Sequence, residues 1–255
     1  MQITPYGSVL ADVTGGRIVG LVENDGMKIF RGVPYAAAPY GANRFREPRP
    51  VEPWDGERDA TTFGPSTYQI EPLFRGHGFN YRSIMGPGWR PGDETLNLNI
   101  WTPGEAGDDL PVLVHIHGGA FLTGNGGLPA YDGRHLAERG AVYVSIHYRT
   151  GTEGFAAFEG AATNRGLRDQ IAALTWVQEN IAVFGGDPGR VMVHGESAGG
   201  MSIALLRASP AADGLFHRAI IQSGSSPMAE GPERAADRAR RIAEALGLAP
   251  TAEAL

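Results

Sequence analysis

From Leu96 onward, short β-branched apolar runs alternate with stretches whose apolar residues recur at helical spacing. That alternation is the sequence form of a mostly parallel sheet covered by helices. The expected strands are Leu96–Trp101, Val112–His117, Val142–His147, Arg190–His194 and Ala219–Gln222. Val112-Leu113-Val114 and Ala219-Ile220-Ile221 are nearly continuous apolar runs, which predicts strands buried on both faces. Between them, Leu167, Ile171, Leu174, Val177 and Ile181 predict a helix that Gly185-Gly186-Asp187-Pro188 stops. Earlier in the chain, Val9–Val13, Arg17–Val22 and Met27–Val33 are separated by turn signals at Gly15-Gly16 and Asp25-Gly26, so they predict antiparallel strands. Residues 34–95, rich in Pro, Gly and Arg and without periodicity, read as a long ordered loop region packed on the sheet. Near the C-terminus, Ala235, Ala239, Ile242 and Leu246 form an apolar stripe through Arg234, Arg238, Arg240 and Arg241, the pattern of an amphipathic helix with a solvated arginine face.

Composition narrows the function classes. The 255 residues suffice for one large domain and a substantial core. A formal charge of −6, from 22 Lys and Arg against 28 Asp and Glu, supplies no global field for nucleic acid or anionic lipid. Without cysteine the chain has no disulfide, no Cys-ligated zinc and no thiol nucleophile. No run of 18 apolar residues occurs, and Met1 to Ser8 lacks the basic start and apolar core of a secretory signal. The expectation is a soluble, cytoplasmic protein without nucleic-acid or membrane partners.

Two motifs carry chemistry. Gly195-Glu196-Ser197-Ala198-Gly199 follows an expected strand and precedes a helix-like Met201–Arg207, the context of a nucleophile elbow. Glycines two before and two after Ser197 remove side chains that would collide at such a corner. His117-Gly118-Gly119-Ala120-Phe121 ends another apolar strand. The N–H groups of Gly118 and Gly119, joined by that of Ala198, are candidates for an oxyanion hole. His115 and His117 share a strand face, but no further ligand accompanies them, so strand packing and loop shaping outrank a metal site. No phosphate-binding or dinucleotide fingerprint is present.

Together these residues resemble the type-B carboxylesterases of the α/β-hydrolase superfamily. Phe30-Arg31-Gly32-Val33-Pro34-Tyr35-Ala36, Trp54-Asp55-Gly56 and Phe63-Gly64-Pro65 are similar to family segments. So is Glu94-Thr95-Leu96-Asn97-Leu98-Asn99-Ile100, with Thr95 where a cysteine is usual. Asn164–Gln170, Phe184–Pro188 and Gln222–Ser225 add further matches. The resemblance implies one α/β-hydrolase domain over residues 1–255, incomplete at its C-terminal side, and carboxylic-ester hydrolysis through a Ser197 acyl-enzyme without cofactor or metal. Glu196 and Ser223 are supporting candidates, each with a structural alternative as a solvated turn carboxylate and a strand-end hydroxyl. Residues 66–93 are candidates to overhang the site.

The resemblance also implies an acid and a histidine after the serine, in that order. Asp213 and His217 are the in-chain set in that order, yet Asp213–Arg218 resembles the family's connector into the next strand. The acid and base are therefore expected beyond residue 255, in a complementary C-terminal segment. Alone, the chain is expected to expose an apolar strand edge and to self-associate. The alternative is a non-catalytic binding module or inactive fragment on the same scaffold.

Overall fold

The computed structural model describes residues 1–3, 7–69, 88–224 and 229–255. Its strands are β1 (Gln2–Ile3), β2 (Ser8–Val13), β3 (Gly16–Val22), β4 (Lys28–Pro34), β5 (Glu57–Asp59), β6 (Asn97–Thr102), β7 (Leu110–Ile116), β8 (Val142–Ile146), β9 (Gly186–Glu196) and β10 (Arg218–Gln222). The helices are α1 (Arg134–Ala137), α2 (Gly151–Phe155), α3 (Arg165–Asn180), α4 (Ala198–Arg207) and α5 (Pro232–Leu246). All the strands join one sheet in the order β1-β2-β3-β4-β6-β8-β7-β9-β10, with β5 beside β3. Pairing is antiparallel from β1 through β6 to β8 and parallel across β8, β7, β9 and β10. The N-terminal meander falls where its pattern predicts it, whereas β6, expected in the parallel block, is antiparallel to both β4 and β8, so the parallel block comprises β8, β7, β9 and β10.

The pattern changes mark the boundaries. Helix α3 buries Ala173, Leu174, Trp176 and Val177 against the sheet. A 3-10 turn over Ile181–Phe184 then stops at Gly185, whose φ of 81° is one that glycine adopts freely. Strand β9 runs longer than expected because Gly186 already pairs with Leu110. The segment 34–95 is not wholly loop: Glu57–Asp59 adds a short parallel strand to β3, and Gly41–Asn43 forms a 3-10 turn. Of the expected overhang at 66–93, residues 70–87 lie outside the described residues.

One expectation needs correction. Strand β10 is exposed at every residue, with Ile220 45% and Ile221 43% accessible, whereas its apolar run predicts burial on both faces. An apolar run is buried only if something covers it. Among the described residues β10 pairs with β9 on one edge and has no strand on the other. In α5, Ala239 and Ala243 are buried while Leu246 is exposed, so the apolar stripe is only partly covered. Three residues past the end of β8, Arg149 forms a fully buried bidentate pair with Asp169 of α3 that ties the two segments together.

Candidate active site

Strands β7 and β9 run parallel with Ile116 opposite Gly195, so their C-terminal ends stop together. The crevice beyond the carboxyl ends of parallel strands is where open α/β sheets bind ligands. After β9 the chain turns at Ser197, whose φ of 55° and ψ of −120° lie in a sparsely populated region. The turn is held from both sides: the Ser197 N–H donates to the Gln222 carbonyl at 2.9 Å, and the Met201 N–H donates to the Ser197 carbonyl at 2.8 Å. A Cβ on Gly195 would lie 2.6 Å from the Ile116 carbonyl oxygen, and one on Gly199 would overlap that same oxygen. Only glycine lets β7 approach the corner this closely.

Helix α4 begins at Ala198, three residues before the sequence pattern places it. The buried Ala198 therefore occupies the first helical turn, whose N–H groups lack intrahelical acceptors and favour negative charge. Gly118 lies across the crevice; a Cβ there would sit 3.4 Å from the Ser197 Cβ and 2.7 Å from the Glu196 carbonyl oxygen. Among the described residues, no acceptor takes the N–H of Gly118, Gly119, Ala120 or Ala198. The nucleophile candidate and the proposed oxyanion donors thus meet at one end of the sheet. The exposed Glu196 carboxylate flanks Gly118, and Ser223 follows the residue that binds the Ser197 N–H.

His217 is not brought to this corner. Its N–H donates to the Val191 carbonyl at 2.8 Å and its Nδ1 accepts from the Val191 N–H at 3.3 Å, at the start of β10. Glu196 lies five residues further along β9, which at the usual strand rise is about 16 Å away. A general base must reach within hydrogen-bond distance of the proton it takes. His217 and the neighbouring Asp213 sit at the opposite end of the sheet. No described histidine is hydrogen-bonded to Ser197.

His115, His117 and His147 are buried. His115 is buried between Tyr131 and His194, with ring centroids at 4.3 and 4.8 Å, and burial holds its pKa well below the usual value. Burial likewise lowers His147 to about 3 and His117 to about 4, so both rings are neutral near pH 7. No group of three metal-ligating side chains occurs among the described residues. Sequence reasoning did not single out Ala120, whose N–H has no acceptor among the described residues and whose φ is +56°. A side chain in that region costs energy, so a search for glycines passes over it.

The carboxylesterase family profile matches residues 8–254. The chain is 44% identical over 238 residues to a para-nitrobenzyl esterase of Bacillus subtilis, covering 91% of this chain and 47% of that protein. It is 45% identical over 245 residues to a phenmedipham hydrolase of Pseudarthrobacter oxydans, covering 93% and 48%. A solved PNB esterase described as thermophilic superposes with a TM-score of 0.86 at 42% identity, covering 94% and 49%. The chain thus spans about half the length of these relatives. With a match that runs through both the elbow and the glycine loop, this chain belongs to the carboxylesterase family.

Proposed function

We propose that the protein hydrolyses carboxylic esters through a Ser197 acyl-enzyme. The Ser197 Oγ attacks the carbonyl carbon and the alcohol leaves; water then releases the acid. Negative charge on the carbonyl oxygen is taken up by the N–H groups of Gly118, Gly119 and Ala198, with Ala120 as a further donor. The observation that carries this reading is the left-handed Ser197 corner opposite Gly118 at the ends of β7 and β9. A serine hydroxyl needs a base to remove its proton. We place that histidine and its acid in a polypeptide beyond residue 255, which would also cover the exposed edge of β10; together with it, residues 1–255 form one catalytic domain. The chemistry asks for no cofactor, and the cysteine-free chain suits a cytoplasmic setting.

The test is labelling with a fluorophosphonate probe, alone and with a polypeptide matching the relatives' C-terminal half, using Ser197→Ala as control. A p-nitrobenzyl ester, suggested by one relative's name, serves as the substrate. Labelling confined to Ser197 that accelerates with the added half is expected. Rapid labelling of the chain alone would overturn the external base. No labelling with both halves assembled would favour the non-catalytic reading, which the absence of a base among the described residues keeps in view.

A further inference from the structure

We propose that His117 is a positioning residue of the oxyanion loop, its Nδ1–H holding the Gly118 carbonyl so that the Gly119 N–H faces the substrate oxygen. This inference rests on the reading of Ser197 as the nucleophile. The Nδ1 atom lies 2.8 Å from the Gly118 carbonyl oxygen. A carbonyl oxygen only accepts, so the hydrogen belongs to Nδ1.

Geometry turns that one bond into a statement about the hole. The Gly118–Gly119 peptide is planar and trans, so its carbonyl and its N–H point in opposite directions. Anchoring the oxygen therefore aims the hydrogen. The need for an anchor is plain from the sequence: a peptide flanked by two glycines has little conformational preference of its own and turns over readily. The following peptide is held separately, since the Gly119 carbonyl accepts from Leu122 N–H at 2.9 Å and Thr123 N–H at 3.0 Å.

The anchor is itself fixed. The His117 ring is buried and stacks on Tyr148 at 4.2 Å with an interplanar angle of 15°. The Tyr148 hydroxyl donates to the His117 carbonyl at 2.8 Å. Gly124, with a φ of +104°, makes the room: a Cβ there would lie 2.5 Å from Nδ1 and overlap the Gly118 carbonyl oxygen. Gln69 clamps Gly124 by accepting its N–H at 2.7 Å and donating to its carbonyl at 3.0 Å. The neutral ring holds a single tautomer and brings no charge to the loop.

The first measurement uses the 255-residue chain, and the second uses that chain assembled with the polypeptide matching the relatives' C-terminal half. In ¹⁵N-histidine NMR at pH 7, His117 is expected with hydrogen on Nδ1; hydrogen on Nε2 overturns the proposal whether or not the chain is reactive. Ser197 phosphonylation is then compared in His117→Asn, which places a donor near Nδ1, and in His117→Gln and His117→Phe, with folding checked by circular dichroism. Mispositioning a catalytic donor costs up to about 100-fold in rate. Gln and Phe are expected to lose roughly 10- to 100-fold, with Asn recovering most of it. Equal losses in folded Asn and Gln variants overturn the positioning role. Absence of labelling in the assembled wild type refutes the Ser197 reading, and the NMR tautomer then decides the His117 anchor alone.

Discussion

Asp169→Ala removes one partner of the most deeply buried ion pair among the described residues. Arg149 Nε donates to Asp169 Oδ2 at 2.8 Å and Nη2 donates to Oδ1 at 2.7 Å, while the Arg149 backbone N–H also donates to Oδ2 at 3.0 Å. Both side chains are essentially inaccessible. Burial alone would lower the Arg149 pKa, yet the Asp169 hydrogen bonds and charge outweigh it and the net shift is upward. Among the described residues, Asp169→Ala leaves the guanidinium the Arg46 carbonyl at 2.8 Å as its one remaining partner and strands a backbone donor. Breaking a buried pair from one side costs about 3–5 kcal/mol. At this chain length each kcal/mol moves Tm by about 2–4 °C, so a drop of roughly 6–20 °C is expected. Urea unfolding followed by far-UV circular dichroism at pH 7 gives the free energy. The double variant Arg149→Met/Asp169→Leu removes both charges and should recover at least about 2 kcal/mol relative to the sum of the single changes. A single-variant loss below about 1 kcal/mol, the value of an exposed pair, would refute the reasoning.

Further outcomes follow from the same contacts. Ser197→Gly relieves a backbone region that costs about 1–3 kcal/mol, so the variant should unfold at higher temperature while losing all probe labelling; an unchanged or lower Tm would count against strain at the corner. Gly199→Ala drives a methyl group into the Ile116 carbonyl, and a loss of about 1–3 kcal/mol in the free energy of urea unfolding is expected. His117 and His147 are neutral in the fold with pKa values of about 4 and 3, below the roughly 6.5 of an unfolded histidine. The unfolded chain then binds more protons, so their stabilisation is complete above about pH 6.5 and is lost as pH falls through 4 and then 3. The His117 shift corresponds to about 3 kcal/mol; a Tm that stays flat from pH 7 to 4 would contradict it. If the chain self-associates through the outer edge of β10, Ile220→Lys with Ile221→Glu should reduce that association in light scattering without lowering Tm, because both side chains are exposed and, among the described residues, that edge carries no strand.

Local patterns were enough for most elements. The helical spacing of Leu174, Val177 and Ile181 and the glycine at 185 mark α3 and its end, because a periodic apolar face and a residue free to adopt positive φ are local properties. The elbow was equally legible, since Gly195 and Gly199 are the residues a tight strand-to-helix corner demands. Burial of β10 was not, because an apolar run records a preference for cover and says nothing of whether the cover is there. Nor did the order Ser197, Asp213, His217 say that the sheet holds them apart; the register of β9 against β10 sets that distance. The sequence by itself determined β2–β4, β6–β10, the helices α3, α4 and α5, the nucleophile candidate and the family, but not the short β1, β5, α1 and α2. Only the tertiary structure decided which donors meet Ser197, that His217 lies at the far end, and that His117 reaches the Gly118 carbonyl, because each depends on distances between segments far apart in the chain or on the direction of a side chain, which residue identity does not encode.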